Sequence, residues 1–173
     1  LKGSNIMLKA FNKIRKKYPD TYLLLSGKIE KGTDIKQKNI IYRTFPKRED
    51  VVLGINAGDV SIIPNPINKF TKYCFPYKLM EYMACSVPVV ATDVGDVSKL
   101  LKNHQDALCK AGDVYDLYIK IIEMLEQSSA QTSLELKNNQ RINYGRELKN
   151  LNWENLAWSL DKIFNTLNKK KRG

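Results

Sequence analysis

The run from Val87 to Ala91 is apolar at nearly every position and β-branched at three, and Ser86 and Thr92-Asp93 bound it. Such a strand offers no polar face to water, so it belongs in a parallel sheet covered on both sides. The residues before it, Phe75 to Cys85, read as a helix, and Gly95 marks a turn after it. Ligands of open α/β sheets bind beyond the carboxyl ends of strands, where such turns lie. Glu81, the one acid in that helix, is therefore the candidate polar reader of a crevice.

The remaining elements agree with a sheet of this kind. Asn5 to Tyr18 carries Ile6, Ala10, Phe11, Ile14 and Tyr18 at helical spacing and stops at Pro19-Asp20. Strands are expected at Tyr22 to Leu25, Asn39 to Tyr42, Val60 to Ile63 and Ala107 to Cys109. Helices are expected at Glu49 to Ala57, Val97 to Leu101, Asp113 to Gln127, Leu134 to Asn150 and Trp153 to Asn168. Lys28 to Lys38 and Asn68 to Cys74 read as loops. Strands alternating with helices give the fold class: α/β, a doubly wound Rossmann-like parallel sheet with C-terminal helices.

Composition excludes several function classes. At 173 residues the chain is long enough for one domain with a real core and a helical appendage. No run approaches the length of a membrane span, and no signal-peptide pattern opens it. Cys74, Cys85 and Cys109 make no even disulfide framework and read as reduced intracellular thiols. His104 is the single histidine, so a multi-histidine metal site is excluded. Asp93 and Asp96 read as acids that cap the following helix rather than as a hydrolytic pair.

The net charge of +11 favours acidic partners. Most lysines are spread over helix surfaces, and the one dense run is Lys169-Lys170-Lys171-Arg172. That run reads as a basic tail able to touch membrane phosphates. No recognition helix or aromatic-interleaved basic sheet accompanies it, so no nucleic-acid partner is expected.

The order of motifs resembles the C-terminal, donor-binding domain of the group 1 (family 4) retaining glycosyltransferases, which have the two-domain GT-B architecture. Lys2-Gly3 opens the first helix as the family's Lys-Gly does. Asp59 to Pro64, Lys78 to Cys85 and Pro88 to Gly95 resemble three further family motifs in order and spacing, and Trp153 matches the tryptophan that starts the last helix. The resemblance divides the chain into a nucleotide-sugar-binding domain over residues 1–150 that lacks its first strand, a C-terminal helix over 151–168, and a basic tail over 169–173.

The resemblance also implies roles. Glu81 would accept hydrogen bonds from the ribose hydroxyls of a nucleotide sugar, a task suited to a carboxylate that takes two vicinal donors. Lys2 would meet the donor pyrophosphate as charge develops on it. Backbone N–H groups of Tyr77 and Lys78, after Phe75 and Pro76, would support the same phosphates at a helix start. Tyr42, Arg43 and Thr44 would line the base pocket, with Gly27 on the same side. Tyr73 stands where the family has the first of two paired acids, which implies altered sugar specificity, and Asp96 replaces a second glycine.

The function implied is retaining transfer of a hexosyl group from a UDP- or GDP-linked sugar to a glycan or lipid-linked acceptor, without cofactor or metal. The acceptor would be held by an N-terminal domain absent here, and the chain alone would be inactive. Polysaccharide biosynthesis in the cytoplasm, with peripheral contact at the inner face of the membrane, is the setting expected. The alternatives are a non-catalytic nucleotide-binding or partner-dependent module, and a basic nucleic-acid or membrane-surface protein.

Overall fold

The computed structural model describes residues 3–129, 141–149 and 151–170, the side chains of 128–129 and 167–170 excepted. The chain divides into two units, Leu1–Ile142 and Asn143–Gly173.

In the first unit, α1 (Ser4–Lys17) buries Met7, Leu8, Ala10, Phe11 and Ile14. Arg15, Lys16 and Lys17 fill its last turn, where cations oppose the negative end of the helix dipole. It packs against α6 (Val114–Ser129), which buries Leu117, Ile121, Ile122 and Met124. At the rim of this contact Lys17 Nζ reaches the Glu126 carboxylate at 2.7 Å, and the Tyr18 hydroxyl donates to the same oxygen. The paired carboxyl is thereby held below its ordinary range, chiefly by the Lys17 hydrogen bond.

All strand pairs are parallel, as the alternating pattern predicts. They divide into two sheets, however, where one was expected. β1 (Leu23–Ser26) pairs with β2 (Ile40–Arg43), Leu23 opposite Ile40 and Ser26 opposite Arg43. After α2 (Arg48–Asn56), β3 (Ser61–Ile63), β4 (Val89–Thr92) and β5 (Leu108–Cys109) form the second sheet in the order β3-β4-β5. Among the described residues no ladder joins β1 to β3, so each presents an unpaired edge. β4 is central and buried at all four positions, and α4 (Tyr77–Ala84) packs on it and on β3.

The loop expected at Asn68 to Cys74 contains a short helix, α3 (Lys69–Tyr73). Its cause is a reciprocal cap. Thr71 N–H donates to Asn68 Oδ1 at 2.9 Å, and Asn68 N–H donates to Thr71 Oγ1 at 3.1 Å. Two donors that a helix start leaves unpaired are thus satisfied by side chains. The chain continues from β4 through α5 (Val97–Leu100) and a single 3₁₀ turn to β5.

In the second unit, α7 (Gly145–Leu148) is one turn long. Most of the helix expected over Leu134 to Asn150 lies outside the described residues. Within 141–149 only α7 is helical, and the Asn143 side chain accepts from Gly145 N–H at 2.9 Å, a local turn that competes with helix. The long helix is α8 (Trp153–Lys170), begun by Asn152, whose Oδ1 accepts from Asn155 N–H at 2.8 Å. Asn155 Nδ2 in turn donates to the Lys149 carbonyl at 3.1 Å.

Candidate functional site

The carboxyl ends of β3 and β4 are clamped to the segment that leads into α4. Thr92, the last residue of β4, donates its hydroxyl to the Asn65 carbonyl at 2.8 Å and lies 3.2 Å from that of Ile63. This fixes the Pro64-Asn65-Pro66 bend beyond β3 to its neighbouring strand. Thr71 carries the constraint onward, because its buried hydroxyl donates to the Pro66 carbonyl. From the other side Gly95, at φ 66°, lets the turn after β4 approach the end of α3. A Cβ there would stand 2.9 Å from the carbonyl oxygens of both Thr71 and Lys72, so no side chain fits.

Gly3 closes the assembly. Its φ is 77°, and a Cβ would stand 1.7 Å from the Pro64 carbonyl oxygen. The amino end of α1 therefore rests on the bend after β3. Lys2, expected to meet a pyrophosphate, lies outside the described residues.

α3 hands directly to α4, with only Cys74, Phe75 and Pro76 between them. Leu79 and Met83 face the core from α4, while Tyr77, Lys78 and Glu81 are exposed on its other side. Positions separated by three and four residues are neighbours on a helix, so these three share one face. Among the described residues the Glu81 carboxylate has no hydrogen bond or ion pair. Its charge is felt by Tyr82, whose phenol is raised by burial first and by Glu81 second.

Aromatic side chains surround this face. Phe75 and Tyr77 meet edge to face with ring centroids 5.1 Å apart. Tyr73 is 79% exposed and carries Lys72 Nζ 5.7 Å from its ring centre. The Tyr77 N–H, expected at a phosphate, donates to the Phe75 carbonyl at 3.0 Å in the free chain.

The other expected residues gather at the end of the β1-β2 sheet. Gly27 follows β1 at φ 82°, and the Tyr42 hydroxyl donates to its carbonyl at 3.0 Å. Arg43 and Thr44 are exposed, with Arg43 Nη1 3.2 Å from the Tyr42 carbonyl. The structure thus brings Gly27, Tyr42 and Arg43 together at one sheet end, and Tyr73 to Glu81 at the other.

What this arrangement offers chemically is recognition rather than a nucleophile. The Cys109 thiol is buried on β5 and pushed up to about 12 by desolvation, with Asp116 and Asp113 adding to the shift, so it stays protonated and inert. An unpaired carboxylate, exposed rings and a helix start suit a polyhydroxylated, phosphate-bearing ligand. Sequence reasoning missed Thr92, Thr71 and Gly95 as the residues that hold the site. A threonine closing a fully apolar strand was the available signal for the first of them.

Residues 1–127 match the family described as Glycosyl transferases group 1. Over 105 residues the chain is 24% identical to a Bacillus subtilis (strain 168) protein provisionally named teichuronic acid biosynthesis glycosyltransferase TuaH, a match that covers 61% of this chain and 26% of that one. Among solved structures, a glycosyltransferase from Rickettsia africae ESF-5 aligns with a TM-score of 0.70 and 17% identity, over 97% of this chain and 45% of the other. Sucrose-phosphate synthase from Thermosynechococcus elongatus aligns with a TM-score of 0.67 and 18% identity, over 98% and 43%. At such identities the structural likeness is one of fold. The chain spans about a quarter of the length of TuaH and less than half of either solved structure.

Proposed function

The chain belongs to the group 1 glycosyl transferases and has a GT-B-like α/β fold, and from that premise we propose that it binds the nucleoside diphosphate sugar of a retaining hexosyl transfer. The observation that carries this reading is Glu81, an exposed carboxylate on α4 without a hydrogen-bond or ion-pair partner among the described residues. A free carboxylate accepts two vicinal hydroxyl donors at once, the pattern a ribose presents. The N-terminus of α4 lies on the same element and favours the neighbouring diphosphate through its dipole. Lys78, exposed one turn before Glu81, and Lys2 supply cations as charge builds on the departing diphosphate. No resident metal or other cofactor enters this reading.

Gly27 and Tyr42 then form the base-side turn, with the Tyr42 hydroxyl bracing Gly27, while Arg43 and Thr44 face the base. Tyr73, with most of its ring in solvent, offers the sugar an aromatic face. Transfer itself requires an acceptor, glycan or lipid-linked, positioned against the donor, because proximity supplies much of the rate. A second, acceptor-binding domain performs that task in this reading, and the chain alone turns over no acceptor. The naming of TuaH supports a place in polysaccharide biosynthesis. The cytoplasm, where nucleotide sugars are the donors, is the proposed compartment.

Calorimetric titration of the folded chain with UDP, GDP and ADP tests the reading. One nucleotide is expected to bind saturably, and Glu81→Ala to weaken it about tenfold, roughly 1.4 kcal/mol. Binding that Glu81→Ala leaves untouched, or no nucleotide binding at all, overturns the assignment of this face.

A further inference from the structure

Within the donor-site reading, on which it rests, we propose that Arg141 is a positioning residue. Together with the Ile142 backbone it clamps the turn at the foot of α4 and so holds the helix face that carries Glu81. α4 is eight residues long, too short to stand on its own propensity. No side chain caps its start, and no basic residue fills its last turn. Its end is a closed turn. Ser86 N–H donates to the Met83 carbonyl at 2.9 Å and Val87 N–H to that of Tyr82 at 3.2 Å, the crossed pair that ends many helices. Such a turn requires a left-handed residue, ordinarily glycine, and here Ser86 takes that place at φ 59°. A side chain in this conformation is strained and persists only where its surroundings hold it.

The holding contacts come from residues far along the chain. Arg141 Nη1 donates to the Cys85 carbonyl at 3.0 Å, across a separation of 56 positions. Ile142 N–H donates to the Ser86 carbonyl at 3.0 Å. Two carbonyls that the helix end leaves unsatisfied are thereby paired. The guanidinium also places a cation at the negative end of a helix that has none of its own there. Glu81 is one hydrogen bond from this clamp, since its carbonyl accepts from Cys85 N–H at 3.1 Å. Leu79 and Met83, at 1% exposure or less, fix one side of α4 against the core. The opposite face, where Glu81 stands, is set by how the helix ends are held. A carboxylate that takes two vicinal hydroxyls tolerates little displacement, because a misplacement of about 1 Å can cost about a hundredfold.

Calorimetric titration of the full chain with UDP, GDP and ADP, each beside its 2′-deoxy form, tests the clamp. A ribose reader should make the parent chain favour the ribonucleotide about tenfold. Arg141→Ala is expected to bring that preference below about threefold, while binding of the deoxy form stays the same. Global destabilisation lowers the folded fraction for both ligands alike, so the ratio reports the position of Glu81 rather than stability. Arg141→Lys, which keeps a cation and a donor, should lie between. Adding Ser86→Gly to Arg141→Ala relieves the left-handed strain, which guards the fold and should restore the preference. A preference that Arg141→Ala leaves intact overturns the proposal and leaves the donor-site reading standing. So does an equal loss for both forms, or a loss that Ser86→Gly does not recover. A parent chain that binds both forms alike, or neither, overturns the donor-site reading and the role of the clamp together.

Discussion

α1 and α8 carry the same sequence signal and meet opposite fates. Each spaces its large apolar residues at three and four, and each puts cations in or after its last turn. In α1 the stripe is closed, with Ala10, Phe11 and Ile14 at 2% exposure or less against α6. In α8 every position from Trp153 to Thr166 is open to solvent, Leu156 being the least exposed of the large apolar residues there at 44%. Periodicity states which face of a helix seeks apolar cover. It does not state who supplies the cover. That information lies in a second element elsewhere in the chain, as α6 is for α1, or outside the chain.

The comparison breaks first at the core. Phe11→Ala removes a ring that is 2% exposed and leaves a cavity between α1 and α6. Loss of about 3–5 kcal/mol is expected, a large share of the stability of an ordinary domain, read as a drop in the denaturant midpoint. A loss near zero would mean that the α1–α6 contact is no tighter than the open stripe of α8.

Cys109 sharpens the same contrast through pH. Its thiol is raised from an ordinary 9.0 to about 12 by burial. Between those values the unfolded chain gives up the proton and the folded chain keeps it. The unfolded state therefore binds fewer protons, so this contribution is complete below about pH 9 and is lost as pH rises towards 12. Alkylation at pH 9 should spare Cys109 in the native chain and modify it in denaturant. Labelling of Cys109 in the native state would show that the β4–β5 region opens.

Much of this architecture is legible in the residues themselves. The run from Val87 to Ala91 announces a covered strand because burial on both faces leaves no polar alternation to disguise it. α3 was not legible. It is five residues long, too short for a periodicity, and its cause is one side-chain exchange between Asn68 and Thr71. The division into two sheets was not legible either, since a strand's composition fixes its faces and not its neighbours. Glu81 stood out as the one acid in its helix. The clamp that positions its surroundings, Thr92 on Asn65 and Gly95 against Thr71, depends on distances between segments far apart in sequence.

Asn68→Ala tests that hidden cap. The substitution removes the acceptor for Thr71 N–H at the start of α3, and about 1 kcal/mol of stability should go with it. The effect is expected to exceed that of any alanine substitution along the open stripe of α8. Hydrogen exchange at Thr71 should quicken as well. Unchanged exchange would mean that the Pro66 and Gly95 contacts hold α3 without the cap.

Leu160→Ala is the smallest expected effect and the most direct probe of the difference between the helices. In the middle of α1, truncating a large apolar side chain costs packing against α6. At Leu160, half-exposed in the free chain, little is buried to lose. Leucine and alanine are both strong helix formers, so propensity changes little. The denaturant midpoint of the free chain should therefore move by no more than about 0.5 kcal/mol equivalent. A large cost would instead show that Leu160 is already covered in solution, and that α8, like α1, has its partner.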